Sequence, residues 1–349
     1  MTRWFIRLVC IVVCVLAFPY RSPAPLVYRP GEGWIYEKPG ETGAWQKTRA
    51  KDQLEVAQKA FDEGDYKLAT KAAHRTVRVW PLSDYAPQAQ YLVGRCYEQE
   101  GQDQKAFKHY QQLLEKYPKI DKYEEVQQRQ FEIANRFLGG QWGKLWGYVP
   151  FPQTMDKTAG MYEKVVKNGP YSDIGPKAQM NLGEAREKQE DYPEAVKAYE
   201  RAADRYADRP QVASDALFKA GLAYQKEART ADYDQTVASK AIATFGDFTV
   251  LHPNDKRLDE AKLRIESLRT EQARGAFETA KFYEKRKKWE AAKIYYNDAL
   301  NKDPSSVYAE IARMRIESLN QRTSANTGTN SPVPPAPAST PAPVILPAK

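Results

Sequence analysis

The chain has 349 residues, of which 28% are charged and 42% are hydrophobic, an ordinary composition for a globular protein. Its formal net charge is +8, but basic and acidic residues alternate along the chain, as in Glu184–Lys188. Because phosphate binding needs cations clustered on one face, this pattern argues against a nucleic-acid partner.

The first 17 residues have the pattern of a signal peptide. Arg3 and Arg7 accompany a short apolar run, Leu8–Leu16, that is too short to span a membrane comfortably. We expect export, with peripheral membrane association. Lipid attachment to a cysteine of this segment is a second expectation. Cys14 is a better candidate than Cys10, although the residue before it is not small. Residues 18–46 are rich in proline, glycine and aromatic residues, and we predict an extended leader there.

A pattern of small and aromatic residues recurs over residues 47–321. In three copies the first small residue and the closing proline are 24 residues apart: Ala57 to Pro81, Gly94 to Pro118, and Ala280 to Pro304. This spacing is typical of two antiparallel helices, because small residues allow close helix contact and proline ends the second helix.

The repeats predict an all-α fold. One helical hairpin cannot bury its apolar stripe alone, so neighbouring hairpins must stack. We therefore predict a tetratricopeptide-type helical-hairpin solenoid of about six repeats, with a capping helix from about Val307 to Leu319 and a concave groove. Such a fold binds partners rather than performing chemistry.

The third repeat is interrupted by an insert at 139–157 that contains four aromatic residues between glycines and prolines: Trp142, Trp146, Tyr148 and Phe151. Aromatic residues in an irregular loop mark a partner or membrane contact, or they fold back and cover the neighbouring groove. Residues 322–349 are rich in Thr, Ser, Asn, Ala and Pro, which predicts a disordered tail.

Catalytic and cofactor motifs are missing from the sequence. There is no glycine-rich phosphate loop, no GxSxG turn and no HExxH motif. His74, His109 and His252 lie in different repeats without metal-ligand spacing, so we expect them to be solvated or at helix ends, and we expect the acidic pair Glu124–Glu125 to be solvated. The sequence thus predicts neither an enzyme nor a cofactor. For Cys96 we predict a buried, inert thiol.

Residues on the first helix of each pair are the candidates for partner binding, since these helices line the concave side of such arrays. The positions selected in this way are Lys51, Gln58, Tyr91, Arg95, Arg274 and Lys281. Arginine and lysine bind carboxylates, and a tyrosine offers stacking area. The alternative for each of the six is an ordinary solvated residue on a helix surface. The basic run Lys285–Lys288, in the last hairpin turn, reads either as a contact to a partner or anionic lipid or as a solvated turn.

The final repeat resembles a known family. The segments Ala280–Arg286, Trp289–Tyr296 and Asp303–Ser306 are similar to the C-terminal repeats of the BamD family, components of outer-membrane β-barrel assembly. The resemblance implies a non-catalytic scaffold at the periplasmic face of the outer membrane, whose early groove binds unfolded outer-membrane proteins and whose late repeats bind the barrel-forming subunit. The alternative is a periplasmic tetratricopeptide adaptor in envelope biogenesis or cell division.

Overall fold

The computed structural model describes residues 26–29, 33–36, 45–141, 143–145, 149–151, 154–230 and 235–327. These residues fall into two compact units, unit 1 (Met1–Gln189) and unit 2 (Glu190–Lys349).

Unit 1 contains seven helices and two short antiparallel strand pairs in its described part. The helices are α1 (Ala50–Asp62), α2 (Tyr66–Val79), α3 (Tyr85–Gln99), α4 (Asp103–Lys116), α5 (Tyr123–Leu138), α6 (Met155–Asn168) and α7 (Gly175–Glu187). The strands are β1 (Leu26–Arg29), β2 (Gly33–Tyr36), β3 (Gly143–Leu145) and β4 (Val149–Phe151). Strand β1 pairs with β2, with Leu26 opposite Tyr36, and β3 pairs with β4, with Gly143 opposite Phe151.

Unit 2 contains six helices in its described part. They are α8 (Tyr192–Arg205), α9 (Pro210–Thr230), α10 (Gln235–Leu251), α11 (Leu258–Lys285), α12 (Trp289–Lys302) and α13 (Val307–Thr327). Consecutive helices pack on each other within each unit, and α11 also contacts α13 as α1 contacts α3. The predicted all-α, tetratricopeptide-type fold with a final helix is confirmed.

Small residues lie where the two helices of a pair meet. Ala57 and Ala60 of α1 pack with Ala69 and Ala73 of α2 in one buried cluster. The later pairs repeat the arrangement with a ring against a small residue: Tyr110 lies against Gly94, Phe245 against Gly221, and Tyr296 packs in one cluster with Ala280. The spacing seen in the sequence therefore reflects helix contacts within each pair.

In the described part of the chain, five of the turns that follow a helix each contain one residue with a positive φ angle. Gly64, Gly101 and Gly140 occupy this position with φ of 80°, 65° and 94°, and glycine adopts this conformation at no steric cost. The corresponding residues of later hairpins are Glu190 and Lys287, with φ of 62° and 60°. A side chain in this left-handed conformation costs about 1 kcal/mol.

Three features differ from the expectation. The insert is not wholly irregular, because it contains the β3–β4 pair, and α6 begins at Met155 rather than after residue 157. The last helix continues to Thr327, beyond the expected boundary at 321, because the polar sequence after Leu319 still lacks proline. The two helices of the fourth predicted repeat, α7 and α8, belong to different units.

Several predictions concern positions outside the described residues: the signal peptide over 1–17, Cys14, Trp142, Trp146, Tyr148 and the tail beyond 327. Within the described ranges, no helix combines the length and apolar character needed to cross a membrane.

Candidate functional site

Four of the six predicted binding residues lie in unit 1 and two lie in unit 2. Lys51 and Gln58 belong to α1, and Tyr91 and Arg95 belong to α3. Arg274 and Lys281 both belong to α11.

A cleft of about 470 Å³ lies between α1, α3 and the segment that precedes α5. We call it the α1–α3 cleft. Its lining residues are Leu54, Gln58, Asp84, Pro87, Gln88, Tyr91, Leu92, Lys119, Ile120, Asp121 and Lys122. The structure thus brings two of the predicted binding residues, Gln58 and Tyr91, into one cleft.

Tyr91 lies in the wall of this cleft and is 8% exposed. Its hydroxyl donates a hydrogen bond to Glu125 and accepts one from Arg95 Nη1 at 3.1 Å. The Lys122 ammonium lies 4.6 Å from the centroid of the Tyr91 ring. The ring face is therefore covered by an exposed lysine, and a partner can stack on it only after Lys122 moves.

Arg95 lies beside the cleft, next to Tyr91. Its guanidinium lies 5.6 Å from the Phe61 ring centroid and 5.9 Å from that of Tyr91. Its buried Nε has no hydrogen-bond partner, and no carboxylate in the described part of the chain pairs with it. A buried donor without a partner is unusual in a native protein, so Arg95 is suited to bind a carboxylate of a ligand.

A charged network continues from Tyr91 along α3 and α5. Arg129 donates to Glu125 at 3.0 Å and to Glu98 at 3.3 Å, and Arg136 pairs with the buried Asp103 at 2.7 Å. Burial raises the pKa of Glu125, but the hydrogen bonds from Tyr91 and Arg129 outweigh it, so that this pKa lies below its usual value. Glu125 is exposed, as expected, but its carboxylate also accepts these two hydrogen bonds.

The other predicted residues pair with carboxylates on their own helices. Lys51 lies 4.0 Å from Glu55, Gln58 donates to Asp62 at 2.9 Å, Arg274 lies 2.7 Å from Glu271, and Lys281 lies 3.0 Å from Glu278. Exposed pairs of this kind contribute about 0.2–1 kcal/mol, so a ligand can displace them.

Two histidines meet between α2 and α4, where solvated side chains were expected. The His74 and His109 ring centroids are 5.1 Å apart, and His109 stacks on Tyr97 at 5.0 Å. Burial, followed by the neighbouring charges of His74, Lys108 and Lys105, lowers the pKa of His109 to about 4. The pKa of His74 is also lowered, by burial and by Arg78.

We expect this histidine pair to make unit 1 less stable in mild acid. The folded pKa of His109 lies below its ordinary value of 6.5, so the unfolded chain binds more protons as the pH falls from about 6.5 to about 4. The loss is on the order of 2 kcal/mol after allowance for solvent screening. His109→Gln should flatten the dependence of the urea midpoint on pH, with His252→Gln as the control; equal slopes in all three proteins would contradict this explanation.

The described residues contain no group of three or more His, Cys, Asp or Glu side chains that could hold a metal ion. Cys96 is buried and unpaired, and burial raises the pKa of its thiol to about 11. The thiol is therefore protonated at neutral pH and a poor nucleophile.

Comparison with known proteins gives two matches to family models. Residues 153–326 match the model YfiO, described as outer membrane lipoprotein, and residues 88–119 match a tetratricopeptide repeat model. No curated protein sequence matches the chain.

Solved structures with similar helical arrangements share little sequence with the chain. BtubC (BKLC) from P. vanneervenii is 16% identical, with a TM-score of 0.32, over 84% of this chain and 98% of that protein. MamA protein is 12% identical, with a TM-score of 0.31, over 58% and 92% of the two chains. A tetratricopeptide repeat protein from Parabacteroides merdae is 14% identical, with a TM-score of 0.28, over 78% and 98%.

The packed helical pairs and the match over residues 88–119 define the chain as a tetratricopeptide-repeat protein. The match over residues 153–326 makes it similar, more particularly, to the outer membrane lipoprotein family. The resemblance noted in the sequence is thereby confirmed. The matched family consists of outer membrane lipoproteins, which is consistent with a location in the cell envelope.

Proposed function

We propose that the protein is a non-catalytic scaffold at the periplasmic face of the outer membrane, where it binds unfolded outer-membrane proteins and the barrel-forming subunit during β-barrel assembly. The observation that supports this proposal best is the match of residues 153–326 to the outer membrane lipoprotein family. Export through the signal peptide at 1–17 and lipid attachment at Cys14 are parts of the same proposal.

In this proposal the α1–α3 cleft binds the unfolded substrate. Leu54, Leu92 and Ile120 supply apolar surface, and Lys122 and Arg95 supply positive charge beside it. Transmembrane β-strands alternate apolar and polar residues and carry aromatic residues near their ends. An extended strand can therefore place apolar side chains against the wall of the cleft while its carboxylates reach the cations.

The helix α11 of unit 2 is the proposed contact for the barrel-forming subunit. Arg274 and Lys281 are partly exposed there; Arg274 pairs with Glu271, and Lys281 pairs with Glu278. Arginine is enriched in protein interfaces.

Charge reversal in the cleft tests this assignment. We expect Arg95→Glu and Lys122→Glu each to weaken binding of a urea-denatured outer-membrane protein, diluted into buffer with the purified full chain, by about tenfold or more. The control is Lys67→Glu, an exposed residue on α2 outside the cleft. Lys122 is exposed, so its variant should keep the fold even if Arg95→Glu loses stability.

Unchanged affinity in a folded Lys122→Glu protein would contradict the assignment of the cleft. Lys281→Glu should leave substrate binding unchanged and should weaken binding of the barrel-forming subunit.

A further inference from the structure

The turn between α11 and α12 carries four consecutive basic residues, Lys285, Arg286, Lys287 and Lys288, and all four are exposed. We call it the basic turn. No carboxylate in the described ranges pairs with any of the four. The nearest acidic residues are engaged elsewhere: Glu284 accepts a hydrogen bond from Tyr296 and lies 3.8 Å from Arg315, and Glu290 lies 2.8 Å from Lys293.

The conformation of the basic turn is the same as in the other hairpins, but its sequence is not. In each turn the amide of the residue with positive φ donates to the carbonyl three residues earlier. The donor and acceptor are Lys287 and Glu284 in the basic turn, Gly64 and Phe61 in the first hairpin, and Gly101 and Glu98 in the second. Glycine suits this left-handed position best, yet the last hairpin has a lysine there. The fold alone does not require a basic residue at this position.

An exposed aromatic side chain lies beside the charges. The Arg286 guanidinium is 3.7 Å from the centroid of the Phe282 ring, and Phe282 is 47% exposed. The surface at this end of α11 thus combines four uncompensated cations with an apolar ring.

This composition fits a membrane surface better than a protein partner. The cores of protein interfaces are depleted in lysine, which loses hydration and side-chain freedom when it is buried. Anionic phospholipid headgroups, in contrast, attract clusters of lysine and arginine that remain hydrated, and an adjacent aromatic ring can enter the headgroup region. We propose that the basic turn binds the surface of a bilayer that contains anionic phospholipids.

Vesicle binding tests the proposal with the full chain. We expect the protein to bind vesicles of phosphatidylcholine and phosphatidylglycerol more tightly than vesicles of phosphatidylcholine alone, with a preference that falls as salt is added. Each cation near an anionic surface contributes roughly fivefold in affinity. The triple variant Lys285→Gln, Lys287→Gln, Lys288→Gln should therefore lose about 100-fold of the preference for anionic vesicles.

The matched control removes the same charge elsewhere in unit 2. Lys240→Gln, Lys256→Gln and Arg269→Gln replace three exposed cations, and together they should lower binding only a few-fold. Equal losses in the two triple variants would show that net charge alone drives binding and would overturn the proposal. So would a wild-type protein that binds both kinds of vesicle equally. Thermal unfolding of each variant checks that its fold is intact.

Discussion

Replacing Gly94 by alanine should destabilise unit 1 by about 3 kcal/mol, because the new Cβ has no room. An added Cβ would lie within 3.0 Å of three atoms of the Tyr110 ring. Tyr110 is fully buried, and its hydroxyl donates to Glu98 at 2.8 Å, so the ring cannot move aside without breaking that bond. Urea unfolding followed by circular dichroism measures the loss.

The matched control for this prediction is Gly160→Ala in α6. No heavy atom outside its own helix neighbourhood lies within 4 Å of a Cβ added there. Alanine is favoured over glycine inside a helix by about 1 kcal/mol, so this variant should be as stable as the wild type or more so. If both glycine variants unfold at the same urea concentration, Gly94 is not needed for the close packing of this helix pair, and the prediction is wrong.

Replacing Arg257 by alanine should destabilise unit 2 by about 3 kcal/mol, because one side chain joins several parts of that unit. Arg257 lies 2.6 Å from Asp255 and 2.8 Å from Asp215 of α9. Its guanidinium is also 4.9 Å from the Phe218 ring centroid and 5.5 Å from that of Phe248. The variant removes the guanidinium from the Asp255 carboxylate, which keeps only weaker hydrogen bonds such as the one from the backbone amide of residue 257.

The pH dependence of this variant provides a second readout. Hydrogen bonds from Arg257 hold the pKa of Asp255 well below its ordinary value of 3.8. This stabilising contribution is present above pH 4 and is lost as the pH falls below about 4 toward the folded pKa. The free energy of unfolding of Arg257→Ala should therefore fall less steeply with decreasing pH in that range than that of the wild type. Arg269→Ala, an exposed control, should match the wild type in both its stability and its pH dependence.

The helix pairs could be predicted from the sequence because their contacts are local. Gly94 and Tyr110 lie in adjacent helices joined by a short turn, and the same contact of glycine and ring returns between Gly221 and Phe245 at a longer separation in sequence. The turn at Glu63-Gly64-Asp65 is also local, since Gly64 has the positive φ angle that favours glycine.

The site could be predicted only in part. Helix periodicity placed Gln58 and Tyr91 on first helices, but the bond from Tyr91 to Glu125 joins residues 34 positions apart in different pairs. Nothing in the spacing within one repeat indicates which residues of the next repeat they meet. The same holds for His74 and His109, whose contact depends on how α2 and α4 stack. The acidic residue Glu125 followed by Arg129 four positions later was the one local signal of the charged network.

Co-purification tests most directly whether this chain takes part in assembling outer-membrane proteins, as we propose. The full chain should be recovered from detergent-solubilised envelopes together with a protein that combines a β-barrel with POTRA domains. Recovery of cell-division or other envelope-biogenesis proteins, with no barrel-forming protein present, would contradict the claim and would favour a periplasmic adaptor.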